Sequence, residues 1–144
     1  MNRYRLEVTE AQLRAIDLAC EVCARIQIGQ PGMALDMLGI HNGDGQDVMH
    51  YDLERLIDAT IKPAMGLELN ASFGVGKFTD ADNLFDLHAA IRFRLAWDVA
   101  MAEGVVQPGE PRKWPEMMGV SFDSPMGWGD QPLPVVAKIE EDAA

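Results

Sequence analysis

Arg92 is the residue best suited to bind an anion. It lies in the segment FDLHAAIRFRLAWD, whose apolar residues recur with helical spacing. In such a helix the residues three and four positions away are His88, Ala89, Leu95 and Ala96, none of which is acidic. No carboxylate within the helix would therefore neutralise the Arg92 guanidinium. Arg94, by contrast, has Asp98 four residues on, which predicts an ordinary surface ion pair.

An aromatic ring and an imidazole accompany Arg92 on the same face of this helix. His88 lies one turn before Arg92, and Phe85 lies one turn before His88. This line of side chains suits a purine nucleotide, because phosphates prefer a guanidinium and a base stacks on a flat ring. The alternative is that Arg92 pairs with one of the 23 acidic side chains elsewhere in the fold.

The segment LNASFGVGK is a candidate anion-binding loop. Its site residues would be Asn70, Ala71, Ser72 and Phe73, which precede two glycines and the start of a helix. Backbone N–H groups and the Asn70 amide could contact an anion there, because a helix N-terminus attracts negative charge. The spacing matches neither a Walker A motif nor GxGxxG. The alternative is that the glycines only mark turns.

The sequence contains no recognisable catalytic or metal-binding pattern. It has no GxSxG or HExxH motif and no nucleophile with an adjacent base. Cys20 and Cys23 have no second cysteine pair, and the three histidines lack ligand spacing. The two cysteines, three residues apart, are predicted to pack on one buried helix face. We therefore expect a binding protein without enzymatic activity, cofactor or metal.

Composition restricts the choice of partner. The 144 residues, 48% of them apolar, fit one globular domain. A formal net charge of −11 repels DNA, RNA and anionic membranes, which are bound through many Lys and Arg contacts, but not a small phosphate-bearing ligand in a recessed pocket. No apolar run approaches the ~20 residues that cross a bilayer, and the first residues lack the apolar region of a signal peptide.

Three helices are predicted from the periodicity. The first begins at the capping box TEAQ and ends near Gly29, with a buried stripe of Leu13, Ile16, Cys20 and Cys23. The second runs from about Asp52 to Lys62 and places Asp58 four residues before Lys62. The third, long and apolar, is capped by Thr79 or Asp80 and reaches about Glu103. Its predicted buried stripe is Leu84, Leu87, Ile91, Leu95 and Val99, and its remaining apolar surface suggests contact with a second subunit.

Short strands complete the predicted fold. Tyr4 to Val8 alternates apolar and polar residues, and Gly119 to Asp123 and Val135 to Ile139 are extended pieces among prolines. We expect an α+β fold in which a small antiparallel sheet accompanies about three helices. Residues 1–104 would form the compact core, and residues 105–144 a proline-rich C-terminal arm of the same domain with a disordered end.

The order of these segments resembles the first-described class of phage Thoeris anti-defence sponge proteins. The similarity lies in LEVTEAQLRAIDLA, ARIQIGQ, the NASFGVG loop, FDLHAAIRFRLAWD and the ending GVSFDSPMGWGDQPLP. The resemblance implies a bacteriophage protein that acts in the cytoplasm of the infected bacterium. It would bind and sequester an immune signalling nucleotide, chiefly glyco-cyclic ADP-ribose made by TIR-domain proteins, without cleaving it.

The resemblance also implies a homo-oligomer, dimer-based and as large as a hexamer, with ligand pockets at subunit interfaces. Some members of the family hold CBASS cyclic di- or trinucleotides at separate sites. Carried over by position, the loop asparagine is Asn70 and the helix arginine is Arg92. The family has a second arginine one turn from this one, whereas this chain has His88 one turn before and Ala96 one turn after.

Two other functions compete with sequestration. A structural or regulatory phage protein would use the apolar third helix and the tryptophans of the arm for oligomerisation alone, and it would have no ligand pocket. A small nucleotide-processing enzyme is the other alternative, which no motif supports.

Overall fold

The structure, a computed structural model, describes residues 3–106, 122 and 124–139. In this part of the chain the elements are α1 (Glu10–Gln27), α2 (Pro31–Leu38), α3 (Tyr51–Ile61), a 3-10 turn (Lys62–Met65) and α4 (Thr79–Ala102). The three predicted helices correspond to α1, α3 and α4. The remaining helix, α2, is not among the three that the periodicity predicted.

The predicted α+β fold is wrong, because the described residues form no sheet. Residues 4–8 and 135–139 belong to no strand. The only sheet-like pairing in the described ranges is an isolated antiparallel bridge between His41 and Asp47. Alternation favours strand backbone locally, but a strand also needs a neighbouring strand to complete its hydrogen bonds. The third predicted strand, 119–123, lies outside the described residues except for Phe122.

The first turn of α1 forms as the sequence predicts. The Thr9 hydroxyl accepts a hydrogen bond from the Gln12 backbone N–H at 3.3 Å, and the Gln12 side chain accepts one from the Thr9 N–H at 2.9 Å. This capping box satisfies two backbone donors that a helix start leaves free. The predicted capping of α4 is less accurate, since Phe78 is its N-cap and Thr79 its first helical residue.

The core lies where α1 packs against α4. Ala24 and Ala81 are fully buried together with Ile28, and Leu84 and Phe85 pack against this cluster. Small side chains at the contact let the two helix backbones approach closely, since interaxial distance depends on the side chains between helices. The N-terminal end of α4 therefore lies beside the C-terminal end of α1, and the two helices run in opposite directions.

The predicted buried stripe of α4 is partly correct. Ile91 and Leu95 are 1% and 7% exposed, whereas Val99 is 40% exposed. No helix in the described part of the chain is both long and apolar enough to span a membrane.

The two cysteines do not share a buried face. Cys20 is buried, but Cys23 is exposed. α1 packs against both α2 and α4, so its buried surface includes Val22 and Ala24 rather than following one stripe. Burial raises the pKa of the Cys20 thiol, and the neighbouring Asp17 carboxylate raises it further.

A carboxylate network joins α2 to α3. Asp58 accepts a hydrogen bond from the Gly32 N–H at 2.9 Å and forms an ion pair with Lys62 at 2.8 Å. The predicted pair four residues apart is therefore present, and Lys62 is only 5% exposed. A side chain at position 32 would collide with Glu54 and Asp58, so the two helices can touch here only because residue 32 is glycine.

The C-terminal segment 124–139 docks on α4 through one buried carboxylate. Asp86, 3% exposed, accepts hydrogen bonds from the backbone N–H groups of Trp128 at 2.7 Å and Gly129 at 2.9 Å. A Cβ on Gly129 would collide with Asn83, which itself donates to Asp130 at 3.2 Å. This part of the predicted arm thus has a fixed attachment to the helical core.

Replacing Asp86 with alanine should release this attachment. Hydrogen bonds to a charged group contribute roughly 1.5–3 kcal/mol each, so amide protection at Trp128 and Gly129 should fall by at least about tenfold. Hydrogen exchange followed by NMR or mass spectrometry measures this loss. Asp80→Ala, an exposed carboxylate on the same helix, is the control, and equal protection in both variants would contradict the assigned role of Asp86.

The thiols should differ in reactivity. Because the thiolate is the nucleophile, Cys23 should react with a thiol reagent at neutral pH well before Cys20, whose pKa burial raises. A time course of modification followed by peptide mapping separates the two rates. The variant Cys23→Ser should lose the fast phase alone, and a fast phase that survives this substitution would show that Cys20 is accessible.

Candidate functional site

His88 lies between the two long helices. Its Nδ1 is 2.9 Å from Asp17 Oδ1, its Nε2 is 3.6 Å from Glu21 Oε2, and the residue is 7% exposed. Glu21 also binds Arg25 at 2.6 Å. The His88 imidazole, which the sequence analysis predicts to contact a bound ligand, therefore lies beside two carboxylates of α1. Its partners are some 70 residues away in the sequence, so helical spacing gave no sign of them.

Arg92 has no ion-pair partner within its helix, as the residues three and four positions away predict. No carboxylate among the described residues forms an ion pair with it. The side chain is half-buried, and its Nε is buried without a hydrogen-bond acceptor. A buried donor left without an acceptor costs roughly 1–3 kcal/mol. An anion or a carbonyl of a partner molecule would remove this cost.

Arg94 behaves differently from Arg92, although both lie on α4. Its Nε donates to Asp98 Oδ2 at 2.9 Å, as the four-residue spacing predicts. This hydrogen bond raises the pKa of Arg94 and lowers the pKa of Asp98, and Lys138 lowers the Asp98 pKa further. The Arg94 charge is therefore neutralised within the chain.

A buried lysine binds the backbone of the loop that carries Asn70. Lys62 Nζ donates to the Leu69 carbonyl oxygen at 2.7 Å while it pairs with Asp58. Asn70 and Ser72 are exposed, and Ala71 and Phe73 are half-buried. The exposed pair is therefore accessible to a ligand.

Several amides of this loop already have acceptors within the chain. The Phe73 N–H donates to the Ile28 carbonyl at 2.8 Å, and the Ala71 N–H donates to the Glu68 carbonyl at 3.0 Å. The Gly76 N–H donates to the buried Asp82 carboxylate at 2.8 Å. Acidic side chains thus occupy the first turns of α4, and the anion expected at this helix N-terminus would have to compete with them.

The Phe73 end of the loop and Arg92 lie at different positions along α4. Phe73 binds Ile28, which belongs to the same cluster as Ala81 at the start of α4. Arg92 follows Ala81 by about three helical turns, or roughly 16 Å at a rise of ~1.5 Å per residue. Within one chain, the Phe73 end of the loop and the Arg92 backbone are therefore well separated.

At least two cavities open on the described surface. The larger, about 850 Å³, lies between the α1–α4 pair and the segments 4–8 and 134–139, with Ile91 and Leu95 in its lining. The smaller, about 450 Å³, opens at the start of α4 beside Lys77. Neither is lined by a predicted site residue, that is, by Asn70, Ala71, Ser72, Phe73, His88 or Arg92.

No group of three or more potential metal ligands is assembled within the described ranges. No known protein family matches this chain, and neither a curated protein nor a solved structure shows significant similarity to it.

Sequence reasoning missed three carboxylates that organise the loops: Asp82 and Asp86 are buried, and Asp58 is partly buried. Asp58, Asp82 and Asp86 each accept backbone N–H groups from segments outside their own helix. In the sequence they look like members of solvated polar stripes, because acidic residues on helices usually are. The one available signal was glycine, since all three contacts involve a glycine N–H: Gly32, Gly76 and Gly129.

Replacing Lys62 with alanine should destabilise the protein and loosen the Asn70 loop. Lys62 is buried and Asp58 is partly exposed, so the loss should cost roughly 2–3 kcal/mol, below the about 3–5 kcal/mol of a fully buried pair. Urea denaturation measures the free energy of unfolding, and Lys77→Ala, at an exposed lysine, should change it by less than about 0.5 kcal/mol. A cost below about 1 kcal/mol for the Lys62 variant would show that this pair does not hold the loop.

Proposed function

We propose that this protein binds and sequesters a small anionic signalling nucleotide without cleaving it. The ligand class comes from the resemblance to phage Thoeris anti-defence sponges: glyco-cyclic ADP-ribose, with CBASS cyclic di- or trinucleotides as further ligands. The site of action is the cytoplasm of the infected bacterium, and the protein works as a homo-oligomer. No DNA, RNA or membrane partner is involved.

The observation that carries this proposal is the state of Arg92. A guanidinium that has no carboxylate partner among the described residues and a buried, unbonded Nε is suited to a phosphate, which accepts two hydrogen bonds from its planar fork. On a chain of net charge −11, surface pairing would be expected to neutralise an arginine on a helix, and no described carboxylate neutralises Arg92.

The separation of Arg92 from the Asn70 loop favours a ligand site shared by two subunits. In one chain the Phe73 end of the loop lies about three helical turns from Arg92. A nucleotide that contacts both would meet Arg92 of one copy and Asn70 of another. His88 contributes by joining α4 to α1 through Asp17, which fixes the face of α4 that carries Arg92.

A second candidate is a protein that acts through oligomerisation alone. Large apolar side chains are exposed on several elements, among them Tyr4, Leu56 and Val135 at 91%, 62% and 84%. Such residues favour contacts between proteins. This function requires no nucleotide, so ligand binding separates the two candidates.

Incubation with glyco-cyclic ADP-ribose, removal of free ligand and denaturation should release the intact nucleotide. Arg92→Ala should weaken binding by about 30-fold or more, as the loss of ~2 kcal/mol from a charge-assisted contact requires. Arg94→Ala is the matched control, since Arg94 is already neutralised by Asp98, and it should bind normally. Oligomer size should be unchanged in both variants.

The outcomes separate the alternatives. Recovery of a converted nucleotide would identify an enzyme instead of a sponge. Failure of glyco-cyclic ADP-ribose and of cyclic di- and trinucleotides to bind would leave oligomerisation as the function. Unchanged affinity in Arg92→Ala would remove this arginine from the site.

A further inference from the structure

The segment Tyr4 to Val8, called here the YRLEV segment, is exposed and has unused hydrogen-bonding groups. Within the described part of the chain, no backbone hydrogen bond involves any of its five residues. Tyr4 and Leu6 are 91% and 72% exposed. Unpaired backbone donors and acceptors next to apolar side chains form a template for pairing with another chain.

The residues of this segment alternate in character. In an extended backbone Tyr4, Leu6 and Val8 would lie on one face, and Arg5 and Glu7 on the other. The Arg5 guanidinium and the Glu7 carboxylate are 2.9 Å apart, which places these two side chains on the same side of the segment. The segment therefore has one apolar face and one face with a positive and a negative charge.

The order of these residues is complementary to itself in the antiparallel direction. When two copies lie antiparallel with Leu6 opposite Leu6, Arg5 of each copy faces Glu7 of the other. Directly opposite pairs of unlike charge stabilise a strand pair, and like charges destabilise it. A shift of two residues in either direction puts Arg5 opposite Arg5 or Glu7 opposite Glu7. Parallel pairing in register brings like charges together as well.

We propose that the YRLEV segment pairs with the same segment of a second copy across a two-fold axis at Leu6. The chain by itself contains no sheet in its described part; the pairing exists only between copies. Such a contact is isologous, because one surface serves both subunits. Tyr4 of each copy then faces Val8 of the other, and the apolar face becomes continuous over both chains.

The neighbouring groove adds apolar surface to this interface. The YRLEV segment lines the cavity of about 850 Å³, and residues 134–139 line it as well. Val135 and Ile139 are 84% and 56% exposed. A second copy docked at Leu6 is therefore adjacent to further uncovered apolar side chains. The contact goes beyond the proposed function, since it does not require that Arg92 bind a nucleotide.

Charge reversal tests the register. Arg5→Glu and Glu7→Arg each set like charges opposite each other twice, so the dimer dissociation constant should rise about tenfold in either variant. The double variant restores both pairs and should dimerise like the natural sequence. An equimolar mixture of the two single variants should form heterodimers, because every charged pair is then unlike. Sedimentation equilibrium without nucleotide measures these constants.

Glu7→Arg separates specific pairing from general repulsion. This variant changes the formal net charge from −11 to −9, so relief of overall repulsion would strengthen association. The proposed register requires the opposite result. Stronger dimerisation of Glu7→Arg, or equal dissociation constants in all variants, overturns the proposal.

Cross-linking tests the position of the axis. In a background with Cys20→Ala and Cys23→Ser, Leu6→Cys should form an intermolecular disulfide, because opposite Cα atoms in a strand pair lie about 4.5–5.5 Å apart. Tyr4→Cys is the matched control at an exposed site. Two copies of residue 4 would be roughly 13 Å apart, so this variant should stay monomeric on a denaturing gel. Equal cross-linking of both variants overturns the assigned register.

Failure of this proposal and failure of the proposed function are distinguishable. If the protein binds the nucleotide but the charges of Arg5 and Glu7 do not affect its dimer dissociation constant, the proposed function stands and the proposed interface is wrong. A protein that pairs at Leu6 but binds no nucleotide retains the interface alone.

Discussion

The close contact between α1 and α4 supports the other described elements. Fully buried alanines at positions 24 and 81 bring the helices together at one end, and the His88 imidazole meets the Asp17 carboxylate further along. The other helices attach to this pair in order: α2 packs on α1, and α3 packs on α2. The C-terminal segment docks on α4 through Asp86. A chain with few large buried side chains thus uses closely packed helices and buried polar contacts to fix its shape.

Buried and partly buried carboxylates hold the loops of this acidic protein. Asp58, Asp82 and Asp86 accept backbone N–H groups from α2, the loop before α4 and the C-terminal segment. A carboxylate buried with hydrogen-bond donors avoids the cost of an unsatisfied charge, and its contacts have defined geometry. Some of the acidic residues therefore stabilise loops, and the acidic excess as a whole disfavours binding of nucleic acids and anionic membranes.

Arg92 differs from the other arginines on the described helices. Arg14, Arg25 and Arg94 pair with carboxylates four residues away, and Arg55 donates to the Tyr51 hydroxyl at 2.7 Å. Each of these partners lies within the same helix, and the sequence alone allows such pairs to be recognised. The absence of a local partner for Arg92 was equally visible in the sequence. The contacts of His88 were not visible in the sequence, because its partners Asp17 and Glu21 belong to another helix.

Features that depend on residues within about four positions of one another could be read from the amino-acid sequence. These are the capping box of α1, the bounds of the predicted helices to within a few residues, the ion pairs of Arg94 and Lys62, and the net charge. Other features became visible in the folded chain: residues 4–8 and 135–139 form no strand, Cys23 is exposed, and His88 and Asp86 make contacts between segments. The two groups differ because helix hydrogen bonds join residues four positions apart, whereas strand pairing and burial depend on segments that are distant in the sequence.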